Sequence, residues 1–199
     1  MSTTLGPCTL EGKYVRLEPL KVEDAGVLTV AAQDSDWSWM SVDSRSESNT
    51  RQWISAALAA QEMGLEYPFI VYNKADDRVV GSTRYMDVRA ANKGVEIGWT
   101  WYSSSVWATA VNPECKFLLM RHAFEDWGAI RVQLKTDNNN LHSQRAIAKL
   151  GARFEGRLRN HRLRKDGSHG DSMMYAITVD EWPVVKEALL TRIEAFEKH

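Results

Sequence analysis

The chain has 199 residues, room for one domain with a good core, and is 44% hydrophobic and 26% charged, an ordinary globular balance. Its formal net charge of −1 gives no support to a nucleic-acid or membrane-surface role. The start MSTTLGPCTLEGKY lacks a basic segment followed by an apolar run, and Cys8 and Cys115 form no CxxC pair. The expectation is a cytoplasmic protein with no membrane helix, disulfide framework or zinc site.

In chain order, KYVRLEPL alternates Val15 and Leu17 with Arg16 and Glu18, the period of a half-buried strand. KVEDAGVLTVAAQD and SNTRQWISAALAAQEMGL read as helices, the second capped by Asn49 or Thr50. YPFIVYN and RVVGSTRYMDV form a hairpin through KADD, and GVEIGWTWY follows as a third strand. On that strand Glu96 and Gly98 share one face, and Val95, Ile97 and Trp99 the other. A helix from Pro113 to Trp127 has apolar residues on two sides, Phe117, Met120, Phe124 and Trp127 against Cys115, Leu118, Leu119 and Ala123. Asn112 suits its N-cap and Pro113 its first helical position.

AIRVQLKTD is a further strand, and a helix from about Asn140 to Leu150 stops at Gly151. FEGRLRNHRLRKDGSHGDSMMYAITV is a hairpin turning on Asp166-Gly167. That turn sets Arg162 opposite Asp171 and puts His161 and His169 on opposite faces, which argues against a metal site there. The last helix buries Val185, Leu189, Ile193 and Phe196. With no repeat and no linker, residues 1–199 read as one mixed α/β domain of order β-αα-βββ-α-β-α-ββ-α.

Nucleophile-elbow, HExxH, Walker and dinucleotide-binding motifs are absent from the sequence. Three stretches carry candidate chemistry. VWATAVNPECKFLL is a strand-to-helix junction whose amides and dipole could hold an anion, Lys116 favouring it and Glu114 opposing it; capping alone also explains it. TDNNNLHSQRAIAKLGARFEG is an unusually polar strand-to-helix transition, explained in part by Asn140 or Asn139 as N-cap. In VEIGWTWY, Glu96 is either a solvated strand residue or a pocket carboxylate placed to accept a proton.

Together, in this order and spacing, the three stretches resemble the GNAT superfamily of acyl-CoA N-acyltransferases, and most closely its RimJ/RimL-like branch, which includes the ribosomal-protein N-terminal acetyltransferases. The resemblance runs from EGKYVRLEPL through EIGW, FLLMRHAFEDWGAIRVQLKTD and NNLHSQRAIAKLGARFEGRLR to the hairpin with Asp166, Gly167, Asp171 and Tyr175. It implies a bent, mixed and mostly antiparallel sheet flanked by helices, splayed between the strands of Glu96 and Arg131. Acetyl-CoA would enter that cleft as co-substrate, with no metal. Its pantetheine arm would pair with backbone near Trp99 to Tyr102, Trp101 included. Its pyrophosphate would sit on Ala108 to Glu114, including Thr109, Ala110, Val111 and Asn112.

The family's loop is rich in glycine. Here Trp107 stands at its basic or amide position, Ala110 at its central glycine and Asn112 at its last small residue. Pro113 removes one amide, and alanine suffices only if no position needs a positive φ. The tyrosine acid of many relatives is replaced by Ile147, so the resemblance gives Ser143 a role beside the departing thiolate. It also gives Asn140 the pantetheine arm and Glu96 the acceptor's proton; Arg145 and Lys149 would meet the CoA phosphates or be solvated helix charges. Asp36, Trp37 and Trp39 would hold the acceptor amine, or form an aromatic plug.

The implied function is acetyl transfer from acetyl-CoA to a primary amine, a protein N-terminus or a small amine, directly in a ternary complex. The alternatives are a catalytically silent CoA-binding or regulatory domain of the same fold, and a purely structural α/β domain. An exposed strand edge and the terminal helix would suit a homodimer.

Overall fold

The computed structural model describes residues 5–198. A two-residue strand β1 (Leu10–Glu11) precedes the first predicted strand, β2 (Val15–Pro19), whose Val15 and Leu17 point inward as their alternation requires. Then come α1 (Ala25–Ala31), α2 (Glu47–Glu62), β3 (Tyr67–Asn73), β4 (Arg78–Arg89) and β5 (Gly94–Tyr102). The chain continues through α3 (Val111–Arg121), β6 (Arg131–Asp137), α4 (Leu141–Ala148), β7 (Arg153–Leu163), β8 (His169–Thr178) and α5 (Trp182–Glu194). The 8 strands form one sheet of order β1-β2-β3-β4-β5-β6-β8-β7. Every neighbouring pair is antiparallel except β5 and β6. The mixed, mostly antiparallel sheet expected from the resemblance is therefore present.

The chain builds two apolar clusters. The larger gathers Val15, Leu17, Tyr85, Ile97, Leu118, Leu119, Ile177 and Leu189, so α3 and α5 belong to it. The smaller gathers Leu28, Trp37, Trp53, Ile54, Ile70 and Trp101, contributed by α1, α2 and the sheet. The parallel pairing of β5 with β6 covers only Gly94 to Glu96 against Arg131 to Gln133. Beyond Glu96, β5 continues alongside β4 to Tyr102, while β6 continues only alongside β8. The sheet thus opens immediately after Glu96.

Several local expectations are corrected. Ser46, not Asn49 or Thr50, caps α2 by accepting the Asn49 amide at 3.3 Å. The helix α3 starts two residues before Pro113, and a π-helical turn at His122–Asp126 carries the apolar run on towards Trp127. Phe196 is only half-buried.

On β5, Trp99 has φ +49°, and the pairing with β4 shifts between Ser82 and Arg84. This bulge turns Trp99 away from the side of Ile97, so Trp99 packs with the smaller core and not the larger. In the late hairpin, Gly167 at φ +81° and the Arg164 amide donating to the Ser168 carbonyl make a turn longer than two residues. A second shift between Leu158 and Arg162 then leaves Arg162 beside Gly170, and Asp171 binds Arg157 and the Asn160 amide instead.

Candidate functional site

Glu96 lies at the point of the splay and is 1% exposed, so the solvated-strand reading does not hold. Its carboxylate accepts from Gln133 Nε2 at 2.9 Å and pairs with Lys135 Nζ at 3.0 Å, both from β6. The parallel register that opposes Glu96 to Gln133 makes this contact, because Gln133 and Lys135 lie two apart and share a face. A buried carboxylate needs such partners. They come from a segment about 40 residues away, which no local pattern reveals. On β4, Arg84 is buried with its guanidinium between the Trp53 and Trp99 rings, 4.6 and 5.1 Å from their centroids, and paired with Glu66.

At the mouth of the splay stands the N-terminus of α3. Its N-cap is Ala110, which has no side chain to offer, and Asn112 and Pro113 occupy the first turn. The first helical bond runs from the Glu114 amide to the Ala110 carbonyl, so the amides of Ala110 and Asn112 have no helical acceptor. The Val111 amide turns to Thr109 Oγ1 at 3.3 Å, while Thr109 donates to the Val106 carbonyl. Asn112 is therefore not the cap, and Pro113 costs the helix no bond because it still lies in the first turn.

The conformational demand of the loop falls on an unexpected residue. Ala110, at the family's glycine position, has an ordinary right-handed φ of −66°, whereas Ala108 has φ +60°. A left-handed alanine costs about 1 kcal/mol or more, and glycine removes that strain. Ala108→Gly is expected to raise stability by up to ~1 kcal/mol, offset in part by unfolded-state entropy, as read by thermal melting. A lowered melting temperature would show that the loop does not hold this conformation in solution.

Glu114 is the clearest departure from the expected cofactor set. It is 4% exposed and turns away from the loop to accept the amides of Lys13, Tyr14 and Val15 at 2.8, 2.6 and 2.8 Å. Gly12 belongs to this arrangement, since a Cβ there would come within 2.4 Å of the Glu114 carboxyl. Glu114 is thus committed to the turn between β1 and β2, and its carboxylate points away from the α3 N-terminus. Lys116 also points inward, with Nζ bonded to Thr100 Oγ1 at 2.5 Å and Thr83 Oγ1 at 3.5 Å.

The start of α4 faces the same opening. Asn140, one of the two caps the sequence allows, caps it by accepting the Ser143 amide at 3.0 Å. The Trp107 ring, 50% exposed, lies 6.5 Å from that of His142, which brings the α3 loop against the first turn of α4. The indole of Trp107 and the hydroxyl of Ser35 both donate to the Tyr102 carbonyl, so an extended ligand arm would meet the β5 edge before that residue. Ser143 is half-buried, whereas Arg145 and Lys149 lie exposed along α4. The segment leading into α4 is anchored by Asp137, 0% exposed. Burial alone would raise its carboxyl, but Arg164, which binds both oxygens at 2.9 Å, outweighs burial and holds it low.

The acceptor candidates separate. Trp37 is a core side chain, 5.0 Å from the Trp101 ring with its indole donating to the Ala32 carbonyl, so the aromatic plug describes it. Trp39 is half-buried, and its carbonyl accepts from Arg162. Asp36 is exposed; the Ser38 hydroxyl and amide, with His142 nearby, lower its carboxyl. Ser35 to Ser38, Asp43, Arg45 and Lys165 line a cavity of about 290 Å³ between the segment after α1 and the late hairpin. No group of three or more His, Cys, Asp or Glu side chains suited to a metal ion occurs among the described residues. No helix among them is long and apolar enough to cross a membrane.

The fold recurs in solved structures. A GCN5-related N-acetyltransferase from Brucella melitensis is 28% identical, with a TM-score of 0.88 over 96% of this chain and 87% of that one. A protein from T. thermophilus designated an acetyltransferase is 31% identical, with a TM-score of 0.81 over 94% of this chain and 98% of that one. Mycobacterium smegmatis RimJ in complex with CoA-disulfide shares the fold at 21% identity, with a TM-score of 0.77 over 94% and 95% of the two chains. No curated protein matches this chain. The family model of the acetyltransferase (GNAT) domain matches residues 15–153, well over half of the sequence. With the parallel splay after Glu96 and the open α3 N-terminus beside it, that match makes this chain a member of the GNAT acetyltransferase family.

Proposed function

We propose that this protein moves an acetyl group from acetyl-CoA to a primary amine, directly in a ternary complex. The observation that carries the reading is the opening of the sheet immediately after Glu96, with the free α3 amides at its mouth. The residues present fit the co-substrate. Amides of Ala110 and Asn112 suit a pyrophosphate, and the unpaired β5 edge suits a pantetheine arm. Acetyl-CoA would supply the activated thioester carbonyl.

The chain's own part is to bind, to orient and to move a proton. Glu96 accepts the proton that the acceptor ammonium must lose, directly or through a water, while Lys135 and Gln133 hold the carboxylate in position. The Ser143 hydroxyl, at the first turn of α4, hydrogen-bonds the sulfur that departs, and Asn140 orders that turn. The cavity beside Asp36 and Lys165 admits the amine from the hairpin side. The sequence resemblance to the RimJ/RimL-like branch makes a protein N-terminus one acceptor class to include, beside small amines.

A second reading, a CoA-binding domain without catalysis, draws on the burial of Glu96 in a pair with Lys135. A thermal shift and a thiol-release assay separate the two. Acetyl-CoA at 100 times its Kd is expected to add ~2.7 kcal/mol, or roughly 5–10 °C for a chain of this size. Thiol release across a panel of amines and N-terminal peptides should appear in the wild type and fall in Ser143→Ala. A shift without thiol release would favour the second reading, and no shift at millimolar acetyl-CoA would refute both.

A further inference from the structure

Lys116 is 5% exposed, yet no carboxylate pairs with it among the described residues. The other fully or nearly buried charges here are matched: Arg84 by Glu66, Glu96 by Lys135, Asp137 by Arg164, and Glu114 by three amides. Lys116 has only two hydroxyls, Thr100 on β5 and Thr83 on β4, which also bond each other at 2.8 Å. A solitary buried ammonium is costly, and proteins seldom keep one without a counter-charge. One place for that counter-charge is the N-terminus of the same helix, where the amides of Ala110 and Asn112 have no helical acceptor. Lys116 follows Asn112 by four residues, or about 6 Å along the helix axis. Thr100 adjoins the bulged Trp99 on the strand that lines the opening.

We propose that Lys116 is a positioning residue for the anionic co-substrate: its ammonium adds a fixed positive charge behind the Ala110 and Asn112 amides and ties the β5 bulge to α3 through Thr100. The inference rests on the acetyl-CoA reading of this opening. It supplies what the glycine-poor loop lacks, since Pro113 removes one amide and no basic side chain stands at Trp107. A unit charge roughly 10 Å from a phosphate, at an effective dielectric of about 20, is worth about tenfold or more in affinity.

Burial pushes the Lys116 amine down to about 8, so the charge is present at neutral pH and lost above it. The ionisable neighbours do not compete for that window. Cys115 on α3 is pushed up to about 12, and burial holds Tyr102 on β5 and Tyr85 on β4 well above 10. Glu114 is committed to its three amides. Acetyl-CoA has its thiol masked and titrates no group there.

Calorimetric titration of acetyl-CoA into the full chain at pH 7.5 and 9.5 tests the proposal, with folding of each variant checked by circular dichroism. Wild-type affinity is expected to weaken about tenfold over this range, as the protonated fraction falls. Lys116→Met should bind about tenfold more weakly at pH 7.5 and show no pH dependence, whereas Lys116→Arg should bind tightly at both values. A Lys116→Met protein that matches the wild type would overturn the proposal and leave the acetyl-CoA site standing. So would a wild-type profile that is flat, or an arginine that fails to rescue. Absence of wild-type binding at millimolar acetyl-CoA would remove the site itself, and this role with it.

Discussion

Glu96→Gln is expected to lower kcat for acetyl transfer at least a hundredfold while leaving acetyl-CoA affinity within about threefold, because positioned proton transfer contributes typically 10²–10⁴. The substitution keeps the shape of a side chain that is 1% exposed and keeps an oxygen for Lys135 and Gln133, but it removes the site that takes a proton. The loss belongs in kcat because the bound ammonium must give up its proton within the ternary complex before its nitrogen can attack, whereas the co-substrate meets the α3 amides and the β5 edge. Steady-state thiol release, paired with calorimetry for acetyl-CoA, makes the check. Retention of more than a third of wild-type kcat would reassign the proton to water or another group, and Glu96 would then be a partner of Lys135 and nothing more.

The second large effect is on stability. Glu114→Ala should destabilise the fold by about 3–5 kcal/mol, since it strands three amides that donate to one carboxylate at 2.6–2.8 Å. For a chain of this length that is a drop of roughly 6–20 °C in melting temperature. Acetyl-CoA affinity, measured below the melting range, should change little. This pair of outcomes separates the structural role from the cofactor role that the position suggests, because a cofactor residue would show the reverse. The turn from Gly12 to Val15 should be the first segment to gain amide exchange in the variant.

The legible part of the fold was the part written in short-range periodicity. Val15 and Leu17 alternating with charges made β2, and the run from Cys115 to Trp127 made a helix buried on two sides. Asn140 was a readable cap because N-capping is a contact between residues three apart, Asn140 and Ser143. Capping failed as a guide at Asn112, where the helix begins earlier with an alanine at its cap position. The hairpin register failed for a similar reason. One added residue in the turn and a bulge near Asn160 slide Asp171 from Arg162 to Arg157, and neither feature has an unambiguous local signature.

At the site, Glu96, Asn140 and the α3 loop could be named in advance because their spacing resembles a known family. What each does depended on partners far away in the chain. Lys135 and Gln133 reach Glu96 only because β6 pairs parallel with β5 for three residues and then departs. Trp99 changes faces through a left-handed bulge, and Ala108, not Ala110, takes the conformation that glycine would favour. Glu114 and Lys116, two residues apart on α3, were legible as opposing influences on one anion. The tertiary structure gives Glu114 to the β1–β2 turn and leaves Lys116 alone between Thr83 and Thr100. The sequence by itself determined the order of the elements from β2 onward, the apolar faces outside the β5 bulge and the family, because these follow from residue type at fixed short spacing. The pairing of buried charges was decided only by the tertiary structure, because a charge is matched by whatever the fold brings within a few ångströms, however distant along the chain.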